Sequence, residues 1–393
     1  GLTFIAEDVR QWSREWPSGL APSGGHLAYI TGEDDFHALE LHIYAFHTGD
    51  SRLIARLVPP ELEPTAGERV SAIEAITFSQ ALAWSPDGSQ LAFIGAMDGP
   101  SADLYLYSLN HDSITRLTSG DSQLHRLSWS PDGRYLLHFG VHSFGTGAGY
   151  AMAGAWAAAA DGSGAIDLFE PAGGDEVIDG WWDARTAVIH SWDAGCGEVR
   201  LRAIDILTGE QSPLWDDYFG QVSVDPGSGS VLFAVPSRIA DCNPGRQQGL
   251  FFITKGGGPV RILEDDAHRI IWSPQAQLFF ARTEFGVVAV STLGDWVQLE
   301  TLTGNFPAAN PSDKSLAWYG AEGLWLSPLQ VTLDGPQPQK VFDEAVKFAS
   351  WDPGGEYLFF ITDDSAFVLR RSDLQIFLMS AEIEALQGDW LLP

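Results

Sequence analysis

Short apolar runs recur along the chain, each following a polar turn. They are His26–Ile30, Gln90–Gly95, Tyr135–Gly140, Thr186–Trp192, Ser230–Val235, Gln277–Ala281, Ser315–Tyr319 and Tyr357–Thr362. Continuous apolar runs of this length suit strands packed on both faces. The turns that precede them are copies of one motif. Leu82-Ala83-Trp84-Ser85-Pro86-Asp87-Gly88 and Leu127-Ser128-Trp129-Ser130-Pro131-Asp132-Gly133 match closely. Ile271-Trp272-Ser273-Pro274 and Ser350-Trp351-Asp352-Pro353-Gly354 are weaker copies. Degenerate copies stand at Ala21-Pro22-Ser23-Gly24, Trp182-Asp183-Ala184-Arg185, Asp225-Pro226-Gly227 and Asn310-Pro311-Ser312-Asp313.

Turn chemistry explains the motif. Pro presets φ, Asp bonds its own backbone, and Gly accepts φ > 0, so Ser-Pro-Asp-Gly between apolar runs makes a tight hairpin. A second hairpin follows in most units, as in Asp103–Leu109 with Ile114–Leu117, and Val199–Ile206 with Gln211–Trp215. Each unit therefore reads as a four-stranded antiparallel meander, strands a to d from inside to outside. Eight units, spaced by about 37 to 64 residues, overlap the ~40–50 residue period of propeller blades.

The expectation is an all-β, single-ring β-propeller of eight blades forming one domain over residues 1–393. Seven blades result if one degenerate unit is an insertion. In the last unit Val346–Trp351, Tyr357–Thr362 and Gln375–Ser380 read as strands a, b and c. Leu2–Asp8 is then assigned the outer strand, which closes the ring and protects a sheet edge. Val58–Ala72 reads as an interblade insertion and Ala151–Ala160 as a c-strand of small residues. Helix is expected only in short pieces such as Ser380–Leu386.

The Trp-Ser-Pro-Asp-Gly turns, with the Leu-x-Phe strand after them, resemble the TolB-type, WD40-like (PD40) β-propeller repeats. The resemblance implies a scaffold that is often extracytoplasmic and often binds proteins. It implies no reaction. TolB-like propellers usually have six blades, and eight units depart from that.

Charge narrows the partners. Asp and Glu number 52 against 22 Lys and Arg, a net charge of −30, which opposes nucleic acid and anionic membrane. No apolar stretch is long enough to span a bilayer. The chain begins at Gly1 without a basic-then-apolar leader, which a tag scar or a trimmed signal peptide would explain. Catalytic signatures such as Gly-x-Ser-x-Gly, Gly-x4-Gly-Lys and His-Glu-x-x-His are absent from these residues.

Three groups of candidate residues follow from the register. In a propeller the starts of the a-strands surround the mouth of the central funnel. Trp16, Gln80, His125, Arg126, His268, Arg269 and Lys347 fall there and are candidates for holding a ligand. The d-to-a connections share that face and carry Asp121, Asp175, Glu176, Asp216, Asp217, Glu264, Asp265, Asp266, Asp343 and Glu344. Such a ring of acid attracts cations or basic protein surfaces. Ca²⁺ is the one ion it suggests, and no other cofactor is implied. Cys196 and Cys242 lie in the b-to-c loops of adjacent units, where a disulfide is geometrically reasonable and would place the protein outside a reducing cytosol. The function expected is a non-catalytic, monomeric, extracytoplasmic propeller that binds a protein or small molecule on its acidic face. The alternatives are a propeller enzyme of polysaccharide lyase or hydrolase type with its site in the funnel, and a structural module.

Overall fold

A computed structural model describes residues 18–22, 25–32, 39–45, 48–58, 66–77, 81–99, 101–143, 150–169, 175–192, 200–237, 248–273, 276–299, 306–329, 337–352, 354–363 and 365–380. These form eight four-stranded antiparallel sheets, each a consecutive meander. The sheets span 18–56, 82–116, 123–169, 175–215, 221–263, 267–299, 308–342 and 348–380. Such meanders are the blade unit of a β-propeller. The chain divides into two compact units, the first holding the first four sheets and the second holding the last four.

The repeated turn forms by local chemistry. Ser85 N donates to Gln90 O at 2.8 Å, and Gln90 N returns a bond to Ser85 Oγ at 3.0 Å. Ser85 Oγ and Ser89 N both donate to Asp87 Oδ1, at 2.6 and 3.0 Å. Gly88 closes the turn at φ +70°, a region that a side chain disfavours. Ser130, Asp132, Gly133, Arg134 and Tyr135 repeat the arrangement in the third sheet.

The core lies between consecutive sheets of each unit. In the first unit one apolar cluster joins the first three sheets and another joins the third to the fourth. In the second unit three clusters fill the successive gaps between the fifth and eighth sheets. The tryptophans that end the inner strands bridge those gaps. Trp129 Nε1 donates to Ala83 O of the second sheet at 2.9 Å. Trp181 Nε1 reaches Ser128 Oγ of the third at 2.9 Å, and Trp351 Nε1 reaches Ala308 O of the seventh at 3.2 Å. Each indole thus buries its ring and still satisfies its polar N–H.

The structure corrects two expectations. Helix α1 (Ala66–Thr77) occupies the segment after Val58 that was read as an insertion without helix. Its Ala72, Ala75 and Ile76 recur at helical spacing on one face and are buried, the helix packing against the second and third sheets. The eighth sheet is complete within residues 348–380, with Ala366–Arg370 as strand c and Gln375–Ser380 as strand d. It therefore leaves no vacant outer position for Leu2–Asp8, which lies outside the described residues, as does Ser380–Leu386 beyond Ser380.

Candidate functional site

Three inner strands slip register against strand b, and each slip leaves one polar residue without a partner in the ladder. In the third sheet the slip falls between His138 and Phe139 and skips Arg126, whose φ is +51°. In the fourth it falls between Ile178 and Gly180 and skips Asp179. In the sixth it falls between Ala267 and Arg269 and skips His268. A bulge of this kind re-aims a side chain and is over-represented beside active sites.

In the first unit the slips bring Arg126 within electrostatic reach of a buried Asp179–His190 pair. His190 Nδ1 meets Asp179 Oδ2 at 2.8 Å, their side chains 15% and 6% exposed. Burial pushes the Asp179 carboxyl above the ordinary carboxylate range, against the opposing His190 hydrogen bond and the Arg126 charge. Arg202 Nη2 donates to Glu176 Oε1 at 2.6 Å, and the guanidinium stacks 5.4 Å from the centre of Phe169. His125, half-buried, is pushed down to about 4 by burial and then by the neighbouring Arg126 charge. An Asp–His pair fixes the imidazole's orientation, as the orienting half of an acid–base relay does.

In the second unit strand pairing sets Arg269 opposite Arg282. Both guanidiniums lie over the ring of buried Phe306, at 5.2 and 5.5 Å. Arg282 Nη2 is buried without a hydrogen-bond partner among the described residues. Burial, followed by the Arg269 charge, lowers the Arg282 pKa. His268 beside them is exposed, and Lys347 forms a surface pair with Asp363 at 2.9 Å.

Of the expected funnel residues, the structure places Arg126 near Asp179, His125 beside Arg126, and Arg269 on Phe306. Trp16 and Gln80 lie outside the described residues, as do Cys196 and Cys242. The acidic residues do not share one environment. Asp121, Asp216, Glu264, Asp343 and Glu344 are exposed, and Glu264 and Asp343 already hold Arg261 and Lys340. Asp217 caps Tyr218 N, Asp266 takes Ser237 N, Asp265 is half-buried, and Asp175 opens a strand. Glu176 is buried under Arg202 and is not part of an exposed acidic surface, because its strand turns it inward to a salt bridge. Among the described residues no group of three or more His, Cys, Asp and Glu is disposed to hold a metal.

Asp179, His190, Arg202 and Arg282 went unremarked in the sequence. The signal for two of them was present: His190 and Arg282 are polar interruptions in otherwise apolar b-strands. A polar group on a strand buried on both faces needs a partner or a purpose.

No family model matches the chain. A stretch of 138 residues is 33% identical to the uncharacterized peptidase YuxL of Bacillus subtilis (strain 168), covering 34% of this chain and 18% of that relative. The match therefore spans less than a fifth of the relative's length. Dipeptidyl peptidase 4 of Porphyromonas gingivalis is similar over 97% of this chain and 62% of its own, at 10% identity and a TM-score of 0.59. A eukaryotic initiation factor is similar over 95% of this chain and 90% of its own, at 12% identity and a TM-score of 0.58. Identities this low show the fold alone. TolB of Acinetobacter baumannii aligns over 61% of this chain and 52% of its own, at 17% identity and a TM-score of 0.33, so the resemblance to TolB rests on the repeated turns and not on that alignment.

These findings overturn the expectation of a non-catalytic binding protein that is not an enzyme. The relative found by sequence is a peptidase, and a peptidase shares the fold.

Proposed function

We propose that this chain is a peptidase-related β-propeller whose inner strands receive a peptide. The observation that carries the reading is the 33% identity to a peptidase over 138 residues. The polar residues released at the inner-strand slips support it, since a peptide offers backbone groups and charged ends for them to meet. The proposal extends to an extracytoplasmic, monomeric protein. The support for the location is the sequence spacing, which sets Cys196 and Cys242 at matching points of adjacent repeats. Two alkylated thiols in the native protein would sink the disulfide and that location together. No cofactor is required in this proposal, in which the acidic face binds Ca²⁺ as an accessory ion; a rise in Tm with Ca²⁺ no larger than with NaCl of equal ionic strength would remove that ion.

The test of the main reading is direct. The protein is incubated with a set of short and long synthetic peptides. Cleavage is followed by mass spectrometry and retention by equilibrium dialysis. Saturable retention or cleavage is expected. Neither, across the whole set, would refute the reading.

A further inference from the structure

The Arg269–Arg282 pair is an electrostatic anomaly. This chain has 52 carboxylates for 22 Lys and Arg, and arginines such as Arg116, Arg202 and Arg370 each hold one. Among the described residues no ion pair joins either Arg269 or Arg282 to a carboxylate. Exposed Glu284, two residues beyond Arg282, makes none with it. Two like charges set opposite each other on neighbouring strands destabilise a sheet. Here the strain is held by the aromatic face of Phe306, which attracts both cations. Arg282 in addition carries a buried N–H group, on Nη2, that donates to nothing among the described residues. A donor left buried and unpaired costs free energy that an acceptor would return.

An anion placed against the two guanidiniums removes both costs. The planar fork of Arg matches a carboxylate with two parallel hydrogen bonds. Phosphate has the same appetite for arginine, but its higher charge is repelled more strongly by a chain of net charge −30. The turn that follows Arg282 presents Phe285, 65% exposed, an apolar surface for the carbon skeleton that carries the carboxylate.

We propose that Arg269 and Arg282, seated on Phe306, form a binding site for a peptide carboxylate, with Arg282 Nη2 as a donor. This rests on the peptidase reading for the word peptide and on the guanidinium geometry for the word carboxylate. The carboxylate comes either from the C-terminus or from an acidic side chain.

Calorimetric titration of one apolar peptide in three forms tests it: free C-terminus, C-terminal amide, and amide with one internal Glu. The expectation is at least about tenfold tighter binding of a carboxylate-bearing form than of the neutral amide. Which of the two forms gains identifies the source. Arg282→Gln and Arg269→Gln should each erase the preference, and added NaCl should weaken it. Without peptide, Arg282→Gln should hold or raise Tm, since it relieves the repulsion. The wild-type comparison of carboxylate with amide needs no variant, so a variant that fails to fold leaves the test intact. Equal binding of all three peptides overturns the site and leaves the peptidase reading standing. So does a preference that survives both substitutions, or inorganic phosphate binding tighter than the carboxylate. Benzoate bound through both arginines, with no peptide retained or cleaved, would instead keep the carboxylate site and sink the peptidase reading.

Discussion

His138 should make the first unit acid-sensitive in a defined window. It lies in strand b of the third sheet, 5% exposed, its ring stacked 5.8 Å from Trp156. Neither ring nitrogen meets a hydrogen bond of good geometry among the described residues. Burial pushes its pKa from 6.5 down to about 4, opposed weakly by the Phe139 backbone. Trp156 is fixed in place over Gly140 and Gly154, where an added Cβ would come within 2.7 and 2.5 Å of its ring. The folded state binds fewer protons than the unfolded state between these two pKa values. Stability from this group is therefore full above 6.5 and falls as pH drops toward 4. Linkage gives a loss of about 2 kcal/mol at pH 5 and about 3 kcal/mol below both values. His138→Phe keeps an aromatic ring against Trp156 and removes the titration. Urea unfolding followed by tryptophan fluorescence at pH 7.5 and pH 5 compares the two proteins. The contribution of His125, shifted the same way, is common to both and cancels. The gap between variant and wild type should open by about 2 kcal/mol at the lower pH in favour of the variant. A gap unchanged to within about 0.5 kcal/mol would show that His138 titrates normally, and the burial argument would be wrong.

Three further outcomes are expected. Arg202→Ala strands the buried Glu176 carboxylate and should cost about 3–5 kcal/mol in chemical unfolding, much of which Glu176→Gln should restore in the double variant. Gly355→Ala forces a side chain at φ +72° and sets its Cβ 2.3 Å from Asn310 Oδ1, so Tm should fall by an amount equivalent to about 1–3 kcal/mol. Trp129→Phe removes the bond to Ala83 O and also shrinks a buried ring, so a loss of about 2–3 kcal/mol is expected by differential scanning calorimetry, and a null effect would remove the indole from the account.

What the sequence disclosed depended on range. The Ser85-to-Gln90 turn is closed by bonds within five residues, so its residue types announce it. Strands b read off nearly residue for residue, as at Gln90–Gly95 and Thr186–Trp192, because burial on both faces writes an unbroken apolar run. Helix α1 was hidden by the prolines and glycine near it, and its stability comes from packing on the second and third sheets, which no local pattern reports. Strand c of the eighth sheet, Ala366–Arg370, was passed over in favour of a longer-range closure. The site was least legible. His125-Arg126 and His268-Arg269 look like equivalent pairs, yet the slip skips Arg126 in one sheet and His268 in the other. A one-residue slip reverses the facing of a side chain and is decided by the partner strand, which no local pattern reports.

Among the described residues, the indole bonds that cross from one sheet to another point one way along the chain. Trp129, Trp181 and Trp351 each donate to the sheet made before their own. During synthesis the acceptor has therefore already left the ribosome when the donor emerges. Each nascent sheet can dock onto a finished predecessor without waiting for anything downstream. Removal of sheets is then asymmetric: trimming from the C-terminal side takes away donors and leaves only carbonyl or hydroxyl acceptors that water satisfies. Deleting a sheet from the N-terminal side bares the large apolar indole ring itself and withdraws the template on which the next sheet was assembled.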